Sequence, residues 1–280
     1  MAKKGWAAFP YPDKAYDYAG DKLAKSWKTL HAGDQEPFPD DKHVAKLLKA
    51  NPKLGKDAAA AAAQLQDAWR AFHRGDFEDA FEQGKALKAL GASVAIKAGG
   101  IHATYLVDGE KDKLARYEAL GALADEAIAA LPDEANSHYR RAFAIGRYSQ
   151  CISITKALTM GLAGKVKESL DATLELAPKH AEAHTALGLY HAEIVGKVGG
   201  MLAKLTYGAS AATAEKHLKE ATKLTADSPI AWIELANGLL LLHGDKQEDA
   251  AAEAYEKAGK LKARDAMEAL DVAFAKEQLE

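Results

Sequence analysis

An all-α chain of stacked, antiparallel helix pairs is the fold class predicted here, on three observations. Apolar residues recur at i, i+3, i+4 and i+7, the same frame returns several times, and no run of alternating β-branched residues interrupts it. Five of the eight prolines fall within residues 1–55, so the rest of the chain is free to continue helix after helix.

In residues 1–55, Pro10, Pro12, Pro37, Pro39 and Pro52 leave room for two short helical patterns, Lys14 to His31 and Asp41 to Ala50. This segment is expected as an extension packed on the main body. From Lys56 alanine, leucine, lysine and glutamate dominate, and Ala58 to Ala63 reads as a helix start because alanine is the best helix former. Residues 56–263 then form helical repeats. The amphipathic stretch from Asp265 to Phe274, with Met267, Leu270 and Ala273 on one face, is expected as a capping helix within 264–280.

The repeat rests on two frames. Trp232, Leu235, Ala236 and Leu239 share one helix face, as do His184, Leu187, Gly188 and His191, and then His138, Arg141, Ala142 and Ile145. Following helices carry a second frame, Ala80, Gly84, Leu87; Val166, Leu170, Thr173; Ala214, Leu218, Ala221; and Ala251, Tyr255, Ala258. Small residues at these points allow two helices to approach closely.

Gly75-Asp76-Phe77-Glu78-Asp79-Ala80 resembles the turn and second-helix start of a tetratricopeptide repeat. Leu174 to Pro178 resembles its closing helix end and proline, and Ala231 to Ala236 its first helix. The resemblance spans roughly Ala61 to Leu261, about five helix pairs. It implies a right-handed superhelix whose concave face is the ligand-facing surface, and it is silent on which ligand, since such repeats serve unrelated partners. Two pairs depart from the pattern. Eight residues separate Ala71 from Ala80, but twenty separate Ile145 from Val166 and twenty-two separate His191 from Ala214. Divergent repeats with such inserts are similar, more distantly, to the regulator of microtubule dynamics family and to TRAP transporter T-components.

Composition narrows the function classes. Forty-eight per cent apolar residues supply a core, and a formal net charge of −3 gives no global positive field for nucleic acid or an anionic membrane. The longest apolar run in the C-terminal half, Leu239 to Leu242, is far too short to span a bilayer. Lys3 and Lys4 are followed by Phe9-Pro10-Tyr11-Pro12 and not by a signal-peptide core, and the single cysteine, Cys151, suits a reducing compartment, so a cytoplasmic location is expected.

No catalytic or cofactor motif emerges. His180, His184 and His191 share a helix, but His184 and His191 occupy frame positions where packing explains them as well as metal binding does. Gly161-Leu-Ala-Gly164-Lys165 lacks both the spacing and the Ser or Thr of a phosphate loop. Cys151 has no adjacent histidine and is expected as a buried structural thiol. Arg140, Arg141 and Arg147 form the compact basic cluster of the middle region, able to hold a carboxylate or phosphate if they converge.

The expected function is therefore a non-catalytic scaffold binding a protein or peptide on the concave face, without metal or cofactor. The candidate residues lie one and five positions beyond the frame: Trp69 and His73, Tyr139 and Phe143 with Arg147 beyond, Thr185 and Leu189 with Glu193 beyond, and Ile233 and Asn237. A large aromatic such as Trp232 is expected to pack between the helices of its own pair. The alternative is a small-ligand protein whose pocket is closed by the inserts at 146–165 and 192–213, and a closed cavity containing Arg147 or Glu193 would favour it.

Overall fold

The computed structural model of the chain describes residues 6–280, apart from the side chains of Ile154, Thr155 and Leu158; Lys3 and Lys4, weighed above, lie outside the described residues. Among the described residues there is no strand. The N-terminal segment holds α1 (Lys22–Leu30) and α2 (Asp41–Ala50). The body begins with α3 (Ala58–Arg74), α4 (Phe77–Ala86), α5 (Ala92–Leu106), α6 (Glu110–Ala130) and α7 (Ala135–Gln150). It continues through α8 (Ile154–Thr159), α9 (Leu162–Leu176), α10 (Ala181–Val198), α11 (Gly200–Tyr207) and α12 (Ala211–Leu224), and ends with α13 (Pro229–His243), α14 (Glu248–Lys260) and α15 (Ala266–Glu277). The two inserts each fold a short extra helix, α8 and α11.

Local chemistry sets the boundaries. The Asp57 carboxylate accepts from Ala60 N at 2.9 Å to start α3, which Gly75 ends in the left-handed region at φ 92°. Serine and aspartate start α12 and α15 likewise, Ser210 accepting from Thr213 N and Asp265 from Glu268 N. The helix expected from Lys14 begins only at Lys22, after a 3-10 turn, because Gly20 adopts φ 57° and interrupts the pattern.

Consecutive helices pack against one another through the two frames. Leu218 of α12 fills a notch between two glycines: a Cβ at Gly188 of α10 would lie 2.6 Å from its Cγ, and one at Gly238 of α13 would lie 2.3 Å from its Cδ1. The first-helix frame does something else at its leading position. Ring nitrogens of His138, His184 and Trp232 donate to the carbonyls of Pro132, Pro178 and Ala226, six residues upstream, at 2.7, 3.1 and 2.8 Å. A carbonyl can only accept, so each ring carries its proton there and ties the helix start to the preceding turn. Trp232 lies at the edge of the core between its two helices, packed against the cluster that holds Ile233 and Tyr255. It is half-buried, with the Lys257 ammonium of α14 lying 3.5 Å from the ring centre.

Both ends of the chain return to the middle. The Tyr18 hydroxyl donates to Arg264 O at 2.6 Å, His73 Nδ1 meets Asp265 Oδ2 at 2.8 Å, and Ala266 and Leu270 of α15 join the core of Trp69 and Phe72 from α3. Farther along α15, Phe274 and Ala275 pack with Ile233 and Tyr255 of the last pair. One helix therefore spans from the first pair of the body to the last.

Candidate functional site

A cavity of ≈ 210 Å³ lies between α5, α7 and α10, bounded by α8 and α9 on one side and by α13 and α15 on the other. Two helices line its length. Tyr139, Phe143 and Arg147 succeed each other along α7, and Thr185, Leu189 and Glu193 along α10, each series spaced by one turn. From Tyr139 to Gln150 the lining covers about 16 Å of helix, at 1.5 Å per residue.

The two ends differ chemically. At the inner end Lys97, Tyr139 and Arg140 are buried, whereas at the outer end Gln150 and Lys197 are exposed, so the cavity opens where both inserts begin. Apolar side chains of Ile101, Phe143, Leu162, Val166, Leu189 and Ile194 separate them.

The inner end is organised by Asp34, in the loop between α1 and α2. Lys97 Nζ donates to its Oδ2 at 2.5 Å, Arg140 donates to the same oxygen at 2.7 Å, and His31 Nδ1 lies 2.9 Å from Oδ1. Glu182 of α10 closes the group, 3.3 Å from Lys97 and 3.6 Å from Arg140. The backbone is anchored as well: Asn136 Nδ2 donates to Asp34 O and Glu182 N to Gly33 O. Burial pushes the Asp34 carboxyl up, but Lys97, His31 and Arg140 outweigh it and hold it well below the usual carboxylate range. For Lys97 burial would lower the ammonium, and Asp34 with Glu182 raises it instead. Burial lowers His31 to about 4 despite Asp34, so its imidazole is neutral and donates to the carboxylate. The loop thus pins α5, α7 and α10 together at the cavity floor.

A second polar group faces the middle of the cavity. Arg147 lies 3.5 Å from Glu234 of α13 and 5.9 Å from the centre of the Phe143 ring, keeping 29% of its side chain exposed. Nearby, the Tyr105 hydroxyl donates to Asp271 Oδ1, while Asp271 Oδ2 is buried without a hydrogen-bond partner among the described residues. Burial raises the Asp271 carboxyl well above its ordinary value, and Glu268, Asp265 and Glu182 add to the rise against the Tyr105 hydrogen bond. The folded environment thereby favours the protonated form of Asp271.

This has a measurable consequence. A group whose pKa is raised on folding contributes stability below its unfolded value, near 3.8, and that stability is lost as pH rises through the folded value. Across that window the loss accumulates at about 1.4 kcal/mol per pH unit. Asp271→Asn keeps an acceptor for Tyr105 and removes the titration. It is expected to be more stable than wild type at neutral pH, with the advantage shrinking toward pH 4, in urea melts at several pH values. An equal difference at all pH values would show that Asp271 is ionised in the folded protein.

Six of the sequence-predicted residues meet in the cavity: Tyr139, Phe143, Arg147, Thr185, Leu189 and Glu193. The other four do not line it. Trp69 and His73 are buried under Trp27, His31 and Asp265, and Ile233 is buried against α14 and α15. Asn237 sits between Glu234, to which it donates at 2.6 Å, and the Tyr255 hydroxyl. The expected arginine cluster does not converge either. Arg140 is at the floor, Arg141 turns outward to Asp125 at 2.6 Å, and Arg147 faces the cavity. Cys151, expected to be buried, is half-buried. His180 caps α10 by accepting from Ala183 N at 3.0 Å, and His184 Nδ1 lies 2.8 Å from His217 Nδ1.

Residues missed by sequence reasoning are Asp34, Lys97, Glu182 and Asp271. Lys97 leaves a trace, as the one charged residue between Ala92 and Ile101 of an otherwise apolar helix; the acids leave none. The chain matches no protein-family model and no curated protein.

Proposed function

We propose that this chain is a non-catalytic helical protein of tetratricopeptide-like architecture that binds a small amphipathic molecule between its first helices. The observation that carries the reading is the half-enclosed cavity with apolar walls and Arg147 set among them. Its ≈ 210 Å³ exceeds the roughly 150 Å³ apolar void known to take up benzene, so an organic ligand of modest size can be accommodated. Arg147 is the preferred anchor for an anionic end group, because Glu234 engages it from one side at 3.5 Å and leaves part of the guanidinium open. Lys97 and Arg140 are a weaker choice, being already engaged by Asp34 and Glu182.

A peptide on the same face has less support. The loop carrying Asp34 and the helix α15 occupy the positions on either side, over Trp69 and His73 and over Ile233, where a peptide on the concave face would extend. A cytoplasmic setting is part of the same reading.

The test is to purify the protein under native conditions and identify co-purifying small molecules by mass spectrometry after denaturation. Leu189→Trp should fill the cavity and abolish retention, and Arg147→Met should select against acidic ligands, both with wild-type helical signal. If Leu189→Trp and wild type retain the same compounds in the same amounts, the cavity is not the binding site.

A further inference from the structure

Six of the large apolar side chains that the protein leaves exposed belong to the turn after α8, to α11 and to the end of α13. They are Met160, at 41% exposure; Met201, Leu202 and Leu205 of α11, at 82, 52 and 79%; and Leu240 and Leu241 at the end of α13. The last two of these segments meet at one edge of the protein. Gly196, near the end of α10, is so close to the end of α13 that a Cβ would lie 2.9 Å from Leu241 O, and α11 follows α10 after a single residue. Ala157 of α8 lines the same cavity opening as Ile194 and Lys197 of α10.

Lysine predominates in the inserts, with Glu193 paired to Lys197 at 3.4 Å at the start of the second. Residues 151–167 contain Lys156, Lys165 and Lys167 and no acid, and residues 194–214 contain Lys197 and Lys204 and no acid, in a chain with 40 Asp and Glu among 280 residues. Lys156, Lys165, Lys197 and Lys204 are all exposed. On α11, Met201 and Leu205 are one turn apart with Leu202 beside them, so a short helix presents an apolar stripe bordered by lysine.

We infer that this edge docks on an anionic lipid surface, with Met201, Leu202 and Leu205 entering the headgroup–acyl boundary and the four exposed lysines lying at phosphate depth. Apolar insertion and cationic attraction reinforce each other at such a boundary. A second copy of the chain is a poorer occupant, because a symmetric contact through this edge would set lysine against lysine, and the one acid of the two inserts, Glu193, is already paired with Lys197 at 3.4 Å. The overall negative charge of the chain does not oppose the inference, since fields beyond about 8–10 Å are screened at physiological salt. The inference stands on residues of the inserts and does not need the cavity to be filled.

Flotation of the full chain with phosphatidylcholine vesicles, with and without phosphatidylglycerol, tests it. Binding is expected only to the anionic vesicles, falling as salt is raised. Met201→Glu with Leu205→Glu, and separately Lys197→Glu with Lys204→Glu, should each weaken it by roughly tenfold or more, with unchanged helical signal and Tm. Absence of binding to anionic vesicles overturns the inference, as does binding that neither variant weakens. Self-association that Met201→Glu with Leu205→Glu dissolves, seen by sedimentation without vesicle binding, would assign the edge to a second copy instead.

Discussion

Asp34→Asn is expected to destabilise the protein by about 3–5 kcal/mol, the cost typical of removing one partner from a buried charge group. Asp34 is fully buried and is the shared acceptor for Lys97 and Arg140, themselves almost inaccessible to water. Without its charge the two cations retain Glu182, at 3.3 and 3.6 Å, as their remaining ion-pair partner among the described residues. Urea unfolding measures the loss directly. A double-mutant cycle with Lys97→Met separates the pair from the rest, since the second substitution removes one stranded charge and should recover part of the first cost. The pH dependence has a definite sign. The Asp34 carboxyl is depressed on folding, so its contribution is present above its unfolded value near 3.8 and is lost as pH falls through the lower folded value. Wild type should therefore lose stability steeply in acid, and Asp34→Asn should lack that part of the slope. A cost under about 1 kcal/mol would mean that the loop is not what joins α5, α7 and α10.

Trp69→Ala is expected to cost a similar amount, about 3–5 kcal/mol, through the cavity it leaves. Its indole is 2% exposed and stands in an aromatic cluster, with ring centres 5.6 Å from Trp27, 4.6 Å from His31 and 5.5 Å from Phe72, each near-perpendicular. Such edge-to-face pairs add to the burial itself. The ring also supports His31, the donor to Asp34, so the two substitutions should prove non-additive. Trp69→Phe should recover part of the loss. A Trp69→Ala protein with wild-type melting that no longer retains a ligand would return this residue to the binding surface.

Sequence periodicity carried the candidate site only as far as helix geometry reaches. At 3.6 residues per turn, naming the face of His138 and His184 also names the face of Tyr139, Phe143 and Arg147, and of Thr185, Leu189 and Glu193. These six indeed line one cavity. The helix starts near Ala58 and at Asp265 were legible because they depend on residues within a turn, and the caps at Asp57 and Asp265 are contacts across three residues. Trp232 packs against the core of its own pair as its spacing implies, but from the edge and only half-buried. Its spacing matches core positions, yet only the turn at Ala226 and the lysine of α14 show that its ring works at the margin.

What the sequence by itself determined is thus the helical class, several of the helix starts and turns, and the register of side chains along the repeat helices. All of these follow from interactions spanning a few residues. Tertiary structure alone decided which faces stay open and which charges meet. By the same register Trp69 and His73, and Ile233 and Asn237, should face the ligand. They are covered because α15 and the loop at Asp34 arrive from far along the chain. Asp34 lies 63 residues from Lys97 and 106 from Arg140. No local pattern encodes a partner at such separations, because a buried carboxylate and a solvated one look the same in sequence until packing removes the water.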